Sequence, residues 1–251
     1  MEKRLDAENK YPAGNQAAGQ SGLVGEGEGL CFDMESYSCL VSHELKTPIR
    51  EIELYAEFIE EDSGEVLSPQ SMQDIRSIHR ICDNMLDLIQ NIMEYSRVSY
   101  KMLHREVIDM RALIGESFDQ LMESEADRTV TLEIKSLPNL IGDVFLIKQL
   151  VNNILSNSIK YTKDEPEAQI VVYSYEDNTR VAYCFQDNGA GIDPRDSGAA
   201  FDMFERMHSE SKFDGNGIGL ALVKKIAERF GADVEILGKA NQGCTLTLRC
   251  P

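Results

Sequence analysis

Seven apolar or small positions between residues 75 and 96 limit the folds open to this chain. Ile75, Ile78, Cys82, Met85, Ile89, Ile92 and Ser96 follow a 3-4-3-4-3-4 spacing. A stripe of that period stays on one helix face and packs along a partner helix. Upstream, Leu40, Val41, Leu45, Ile49, Ile52, Ala56 and Ile59 keep roughly helical spacing within residues 33–62. Glu60, Glu61 and Asp62 precede Ser63-Gly64, which stops the helix. Ser68-Pro69 then supplies an N-cap and an N1 proline for the second helix. Two helices joined by a short turn form an antiparallel hairpin. One hairpin cannot bury its stripe alone, and a second copy completes a four-helix bundle. The spacing therefore predicts a homodimer.

The flanks read differently. Residues 1–32 are small and polar, as in Ala13-Gly14-Asn15-Gln16 and Gly25-Glu26-Gly27-Glu28-Gly29, and are expected to form a disordered tail. After Arg97 the period changes. Asp109 can cap a helix running to about Ala126, and Thr129–Lys135 alternates as a strand. Val144–Tyr161 is an amphipathic helix. Gln169–Tyr175 and Arg180–Gln186 read as strands, Gly219–Phe230 as a helix, and Asp233–Leu237 and Cys244–Arg249 as closing strands. Residues 193–214 are irregular. The expected fold is α+β and multidomain: a helical hairpin over 33–100, then an α/β sandwich over 101–251.

Composition narrows the function. A length of 251 residues suits about two domains. A net charge of −18 argues against nucleic acid or an anionic membrane as partner. No apolar run is long enough for a transmembrane helix, and Met1–Asp6 lacks the start of a signal peptide. The cysteines at 31, 39, 82, 184, 244 and 250 form no CxxC pair, so reduced thiols in a cytoplasmic protein are expected rather than a zinc site.

The first chemical motif is Ser42-His43-Glu44-Leu45-Lys46-Thr47-Pro48. On a helix His43 and Thr47 share a face, and Glu44 can reach the imidazole from the side. Pro48 has no N–H, so the Glu44 carbonyl loses its partner and the helix bends there. A histidine beside a carboxylate on such a helix suggests a phosphoryl acceptor. His79, His104 and His208 have no comparable neighbours and read as packed or solvated histidines.

The second constellation lies downstream. Asn153, Asn157, Lys160 and Tyr161 are spaced to face one way from the 144–161 helix. Amide oxygens suit Mg²⁺ and a lysine suits phosphate. Asp187-Asn188-Gly189-Ala190-Gly191-Ile192 follows a strand. Its carboxylate can accept from an exocyclic amine, and its glycines admit a flat ring closely. Gly215-Asn216-Gly217-Ile218-Gly219-Leu220 opens a helix, so backbone N–H groups face an anion. It lacks the preceding strand and the lysine of Rossmann and P-loop motifs.

These blocks, with Phe201-Asp202-Met203-Phe204-Glu205-Arg206 between the last two, resemble the H, N, G1, F and G2 boxes of two-component sensor histidine kinases. The resemblance covers roughly residues 34–250. It implies a dimerisation and phosphoacceptor hairpin followed by a gyrase-type ATP-binding domain. It further implies that His43 takes the γ-phosphoryl group of ATP, with Glu44 as base. Asn157 would ligate Mg²⁺ with Asn153 nearby, and Lys160 and Tyr161 would face phosphates and ribose. Asp187 would read adenine, with Gly189 and Gly191 shaping that pocket. Gly215, Gly217 and Gly219 would line the triphosphate, and Leu220 would join them in binding the cofactor. Residues 193–214 would form a lid anchored by Phe201 and Phe204, with Arg206 or Lys212 at phosphate. Thr47 would support phosphatase activity on a response regulator receiver domain, the implied partner. Asn216 and Ser158 depart from the family's usual Ser or Thr and Ala. Two other readings stay open: a Ser/Thr kinase or ATPase of the same nucleotide-binding superfamily, and a non-catalytic scaffold.

Overall fold

A computed structural model describes residues 25–64, 66–99, 102–125, 128–177, 180–205 and 216–251, with 25–41 as backbone alone. Two long helices come first, α1 (Gly25–Ser63) and α2 (Pro69–Val98). The Ser68 hydroxyl accepts from Ser71 N–H at 3.0 Å and Pro69 opens the helix, as the sequence predicts. Lys46 pairs with Gln90 and Glu60 faces His79, so the helices run antiparallel. Ile49 packs on Cys82 and Ile89, which leaves Ile78, Met85 and Ile92 of the predicted seam exposed. The hairpin thus uses alternate seam positions for itself. α1 starts at Gly25, ahead of the 33 read from the apolar stripe, because a nucleated helix propagates at little cost per residue. The rest of the expected tail, residues 1–24, lies outside the described residues.

The second unit is an α/β sandwich. Its order is β1 (Glu106–Ile108), α3 (Met110–Met122), β2 (Val130–Ile134), β3 (Leu140–Gly142), α4 (Val144–Tyr161), β4 (Ala168–Asp177), β5 (Arg180–Asp187), α5 (Gly219–Arg229), β6 (Asp233–Gly238) and β7 (Cys244–Cys250). The main sheet runs β2-β4-β5-β7-β6, with β2 and β4 parallel and the other pairs antiparallel. In β4, Ala168, Ile170 and Val172 alternate inward. β5 is the central strand, and Ala182 to Phe185 are all buried. α3, α4 and α5 supply Ile114, Leu150, Leu155, Leu222 and Ile226 to the same core. β1 pairs with β3 in a small separate sheet. Periodicity predicts neither strand, because three residues cannot display a period. α3 ends at Met122 rather than near Ala126. There the Ser124 hydroxyl donates to the Leu121 carbonyl and competes with the helix ladder.

Asp143 joins these parts. Its Oδ1 caps α4 by accepting from Leu146 N–H at 3.1 Å, and its Oδ2 accepts from His104 N–H at 3.1 Å. The residue is buried. Asp143→Ala leaves both donors unpaired, so thermal unfolding will register a loss of about 2 kcal/mol.

Candidate nucleotide site and phosphoacceptor helix

The last two turns of α4 form one wall of a cavity. Ile154, Asn157, Ser158 and Tyr161 follow i, i+3, i+4, i+7 spacing and so make one stripe. Phe185 and Asp187 of β5, Gly191, Ile192, Leu220, Ile236, Cys244 and Leu246 complete a space of about 540 Å³ that opens to solvent. Of the residues singled out from sequence, Asn157, Tyr161, Asp187, Gly191 and Leu220 line it.

Asp187 sits where β5 ends. Its Oδ1 accepts from Gly189 N–H at 3.0 Å and Cys244 N–H at 3.2 Å, and the Ser158 side chain also bonds the carboxylate. Burial nevertheless pushes its carboxyl above the ordinary value, with these three bonds pulling the other way. Burial, helped by the Asp187 charge, pushes the Cys244 thiol up to about 12, so it stays protonated and serves as wall.

The loop after Asp187 is clamped on two sides. Asn188 accepts from Gln169 N–H and donates to the Glu167 carbonyl, so its role is structural. Ala190 N–H donates to the Tyr161 carbonyl at 3.0 Å, and Asn241 N–H to the Ala190 carbonyl at 2.6 Å. Gly191 has φ of 72°, and a Cβ there would fall on the Lys239 carbonyl. Gly189 is buried against the Tyr161 carbonyl.

The glycine loop reaches the cavity from α5. Gly217 has φ of 67° and accepts at its carbonyl from Phe204 N–H at 2.9 Å, so two loops meet backbone to backbone. A Cβ on Gly219 would lie 3.1 Å from Asn153 Oδ1 and 3.6 Å from Asn157 Nδ2. This places the start of α5 against both asparagines. No side chain caps α5, which leaves its first N–H groups without that partner. Asn153 flanks the cavity and donates to the Gln149 carbonyl at 2.8 Å. The Lys160 ammonium lies 4.3 Å from the Tyr161 ring centre. Gly215, Arg206 and Lys212 lie outside the described residues.

Phe201 is buried in the core, as expected of a lid anchor. Phe204 is not: it is 57% exposed. Its φ of 68° bends the chain to meet Gly217 and turns its ring away from the core. Sequence reading passed over most of the apolar wall. Ile154 is recoverable from the α4 stripe, since it shares it with Asn157 and with Ser158, which the sequence motif already includes. Ile236, Cys244 and Leu246 carry no local signal, because only sheet pairing brings β6 and β7 to Asp187.

The arrangement can hold a flat ring. Apolar walls suit its faces, and one half-buried carboxylate suits an amine on its edge. The asparagine amides and the uncapped helix start suit a hard cation and phosphate oxygens.

His43, Glu44 and Thr47 stand apart from this cavity, on α1. The His43 ring is 80% exposed, and its Nδ1 lies 3.8 Å from Glu44 Oε1. The Thr47 hydroxyl donates to the His43 carbonyl at 3.1 Å. α1 runs through Pro48.

Residues 40–101 match the His Kinase A (phospho-acceptor) domain. Residues 142–251 match the histidine kinase-, DNA gyrase B-, and HSP90-like ATPase family. Cyanobacterial phytochrome B of Nostoc sp. strain PCC 7120 is 30% identical over 217 residues, 85% of this chain and 29% of that protein. The methanogenesis regulatory histidine kinase FilI of Methanothrix harundinacea is 26% identical over 91% of this chain and 26% of its own length. The chain thus spans less than a third of these curated relatives. Full-length ShkA, solved in complex with AMPPNP, superposes with a TM-score of 0.64 at 19% identity, over 86% of this chain and 46% of that one. That likeness supports the fold. With a phosphoacceptor hairpin and an ATPase-type sandwich in that order, the chain belongs to the sensor histidine kinase family and carries its catalytic core.

Proposed function

We propose that this chain is an ATP-dependent protein histidine kinase that phosphorylates its own His43. The observation that carries this reading is the pairing, in one chain, of an exposed His43 flanked by Glu44 with a cavity built around Asp187 and Asn157. Glu44 lies on the Nδ1 side, which leaves Nε2 as the attacking nitrogen. Nε2 attacks the γ-phosphorus in line. The N–P bond forms as the bond to the β-phosphate oxygen breaks, ADP leaves, and the Nδ1 proton passes to Glu44. The 3.8 Å gap to Glu44 is of the kind that closes when substrate binds.

Asp187 would accept from the adenine amine. Gly189 and Gly191 would shape the ring slot, and Lys160, Gly217 and Gly219 would face the phosphates. Asn157, with Asn153 beside it, would hold Mg²⁺, which supplies charge neutralisation when bound. The product phosphoramidate suits relay, so the acceptor in turn is an aspartate of a response regulator receiver domain. Thr47 would orient water for the reverse, phosphatase role once its hydroxyl leaves the His43 carbonyl.

The exposed positions also favour a homodimer. Leu45, Ile52 and Ile59 on α1 and Ile78, Met85 and Ile92 on α2 each repeat every seven residues and stay exposed. A second hairpin would cover both stripes as a four-helix bundle. We divide the chain into a tail to residue 32, the hairpin over 33–100 and the ATP-binding domain over 101–251. Among the described residues no helix is long and apolar enough to cross a membrane. Cys82, Cys184, Cys244 and Cys250 are free thiols, which fits a reducing cytoplasmic setting.

The test is incorporation of γ-phosphate from Mg-ATP into the purified chain. The label will be acid-labile and alkali-stable, as a phosphohistidine is. Acid-stable label would move the acceptor to a hydroxyl and overturn the assignment.

A further inference from the structure

Ser158 is fixed by the last turn of α4. Its carbonyl accepts from Thr162 Oγ1 at 2.8 Å and from Thr162 N–H at 3.1 Å. Arg128 Nη2 donates to the same Thr162 hydroxyl at 2.9 Å, and its Nη1 donates to the Ile159 carbonyl at 2.7 Å. A serine inside a helix commonly returns its hydroxyl to the carbonyl four residues back. The Ser158 hydroxyl crosses to β5: the residue is buried, lines the cavity and donates to the Asp187 carboxylate.

The carboxylate is pinned as well. Its Oδ1 takes the Gly189 and Cys244 N–H groups, and with the Ser158 hydroxyl that makes three protein donors. An ionised carboxylate offers about four lone-pair sites. One is left for a ligand in the cavity.

Purine edges differ in what they need from such a group. Adenine shows one donor, its exocyclic amine, beside a ring nitrogen that accepts. Guanine shows two adjacent donors, a ring N–H and an amine, beside a carbonyl. A carboxylate with two free sites takes two parallel N–H bonds, as it does from a guanidinium. With a single free site it takes one, and the second donor is left unpaired, a costly state away from water. Alanine, the usual residue of the family at this position, would leave a second site open.

We propose that Ser158 is a specificity-determining residue of the base slot: its hydroxyl fills one acceptor site of Asp187, leaves one for the purine edge, and so sharpens the choice of adenine over guanine nucleotides. This rests on Asp187 reading the base edge of ATP. Ser158→Ala removes the hydroxyl without burdening α4, since alanine is the best helix former. The freed site then lets the carboxylate pair with both guanine donors. Inosine triphosphate keeps the carbonyl and ring N–H of guanine but lacks the amine. It offers one donor and gains nothing from a second site.

The test measures Kd for Mg-ATP, Mg-GTP and Mg-ITP, by competition against a fluorescent ATP analogue, on the full 251-residue chain and on its Ser158→Ala variant. In the variant the preference for ATP over GTP will fall about tenfold, through tighter GTP and ATP weakened by no more than about threefold. ITP will change by less than about twofold. The rate of acid-labile labelling at saturating Mg-ATP will stay within about twofold of wild type, because Ser158 touches no reacting atom. An unchanged ATP-to-GTP preference overturns the assignment. Equal gains for GTP and ITP also overturn it, because added room rather than a second acceptor would then be the cause. A wild-type chain that binds no ATP overturns the base site and the role of Ser158 with it. A shifted preference in a chain that takes no label supports Ser158 while overturning self-phosphorylation, so the two readings fail separately.

Discussion

His43→Gln will reduce phosphate incorporation to background, a fall of about three orders of magnitude or more, because the amide has no nitrogen lone pair able to attack phosphorus. The variant isolates chemistry from folding and binding. The ring is 80% exposed and its one close ionic neighbour is the equally exposed Glu44, so its loss will change stability by no more than about 0.5 kcal/mol. The nucleotide cavity is built from α4, β5, α5, β6 and β7 and takes nothing from α1. ATP binding by calorimetry will therefore match the wild type. Label that persists in this variant would place the acceptor elsewhere. Loss of binding together with label would mean that the hairpin shapes the cavity.

Asp187→Asn will weaken adenine-nucleotide binding about a hundredfold while leaving the fold intact. The new amide still offers an oxygen to Gly189 and Cys244 N–H, the bonds that hold the loop. Its nitrogen then faces the adenine amine donor to donor, and a buried site rejects such a mismatch strongly. The pH dependence of stability follows from burial. The Asp187 carboxyl is raised above its unfolded value, so its folded-state contribution is full below the ordinary carboxylate range. It is lost as pH rises through the raised value. The variant carries no such loss. Without nucleotide it will melt no lower than the wild type at pH 7, and the difference in its favour will shrink as the solution is taken toward pH 4. A variant that melts much lower at pH 7 would show that the carboxylate is a structural anchor. Unchanged ATP binding would remove Asp187 from the ring site.

The secondary structure was readable wherever a local rule acts. Ser68-Pro69, Asp109 and the stripe of Val144–Tyr161 place their helices because caps and periods are properties of a few adjacent residues. The same locality explains the errors. Phe204 reads as an apolar anchor, yet its conformation is set by Gly217, a loop partner thirteen residues on. β1 and β3 are legible only as a pair.

The site divides along the same line. Asn157, Tyr161, Asp187 and Gly191 stand out in sequence because amides at helical spacing and a carboxylate before glycines are unusual enough to mark a purpose. The oxygen of Asp187 is held by Cys244 N–H, 57 residues away, and the wall behind it comes from Ile236 and Leu246. Those residues look like ordinary strand residues until the β5–β7 pairing brings them together. The sequence alone determined the hairpin, the glycine-rich motifs and the His43-Glu44 pair on its first helix, since each depends on short-range spacing. Tertiary structure alone decided which seam positions face the partner helix, how deeply Asp187 is buried, and that the Ser158 hydroxyl reaches its carboxylate. Burial and long-range contact are sums over residues distant in the chain, and no window of sequence contains them.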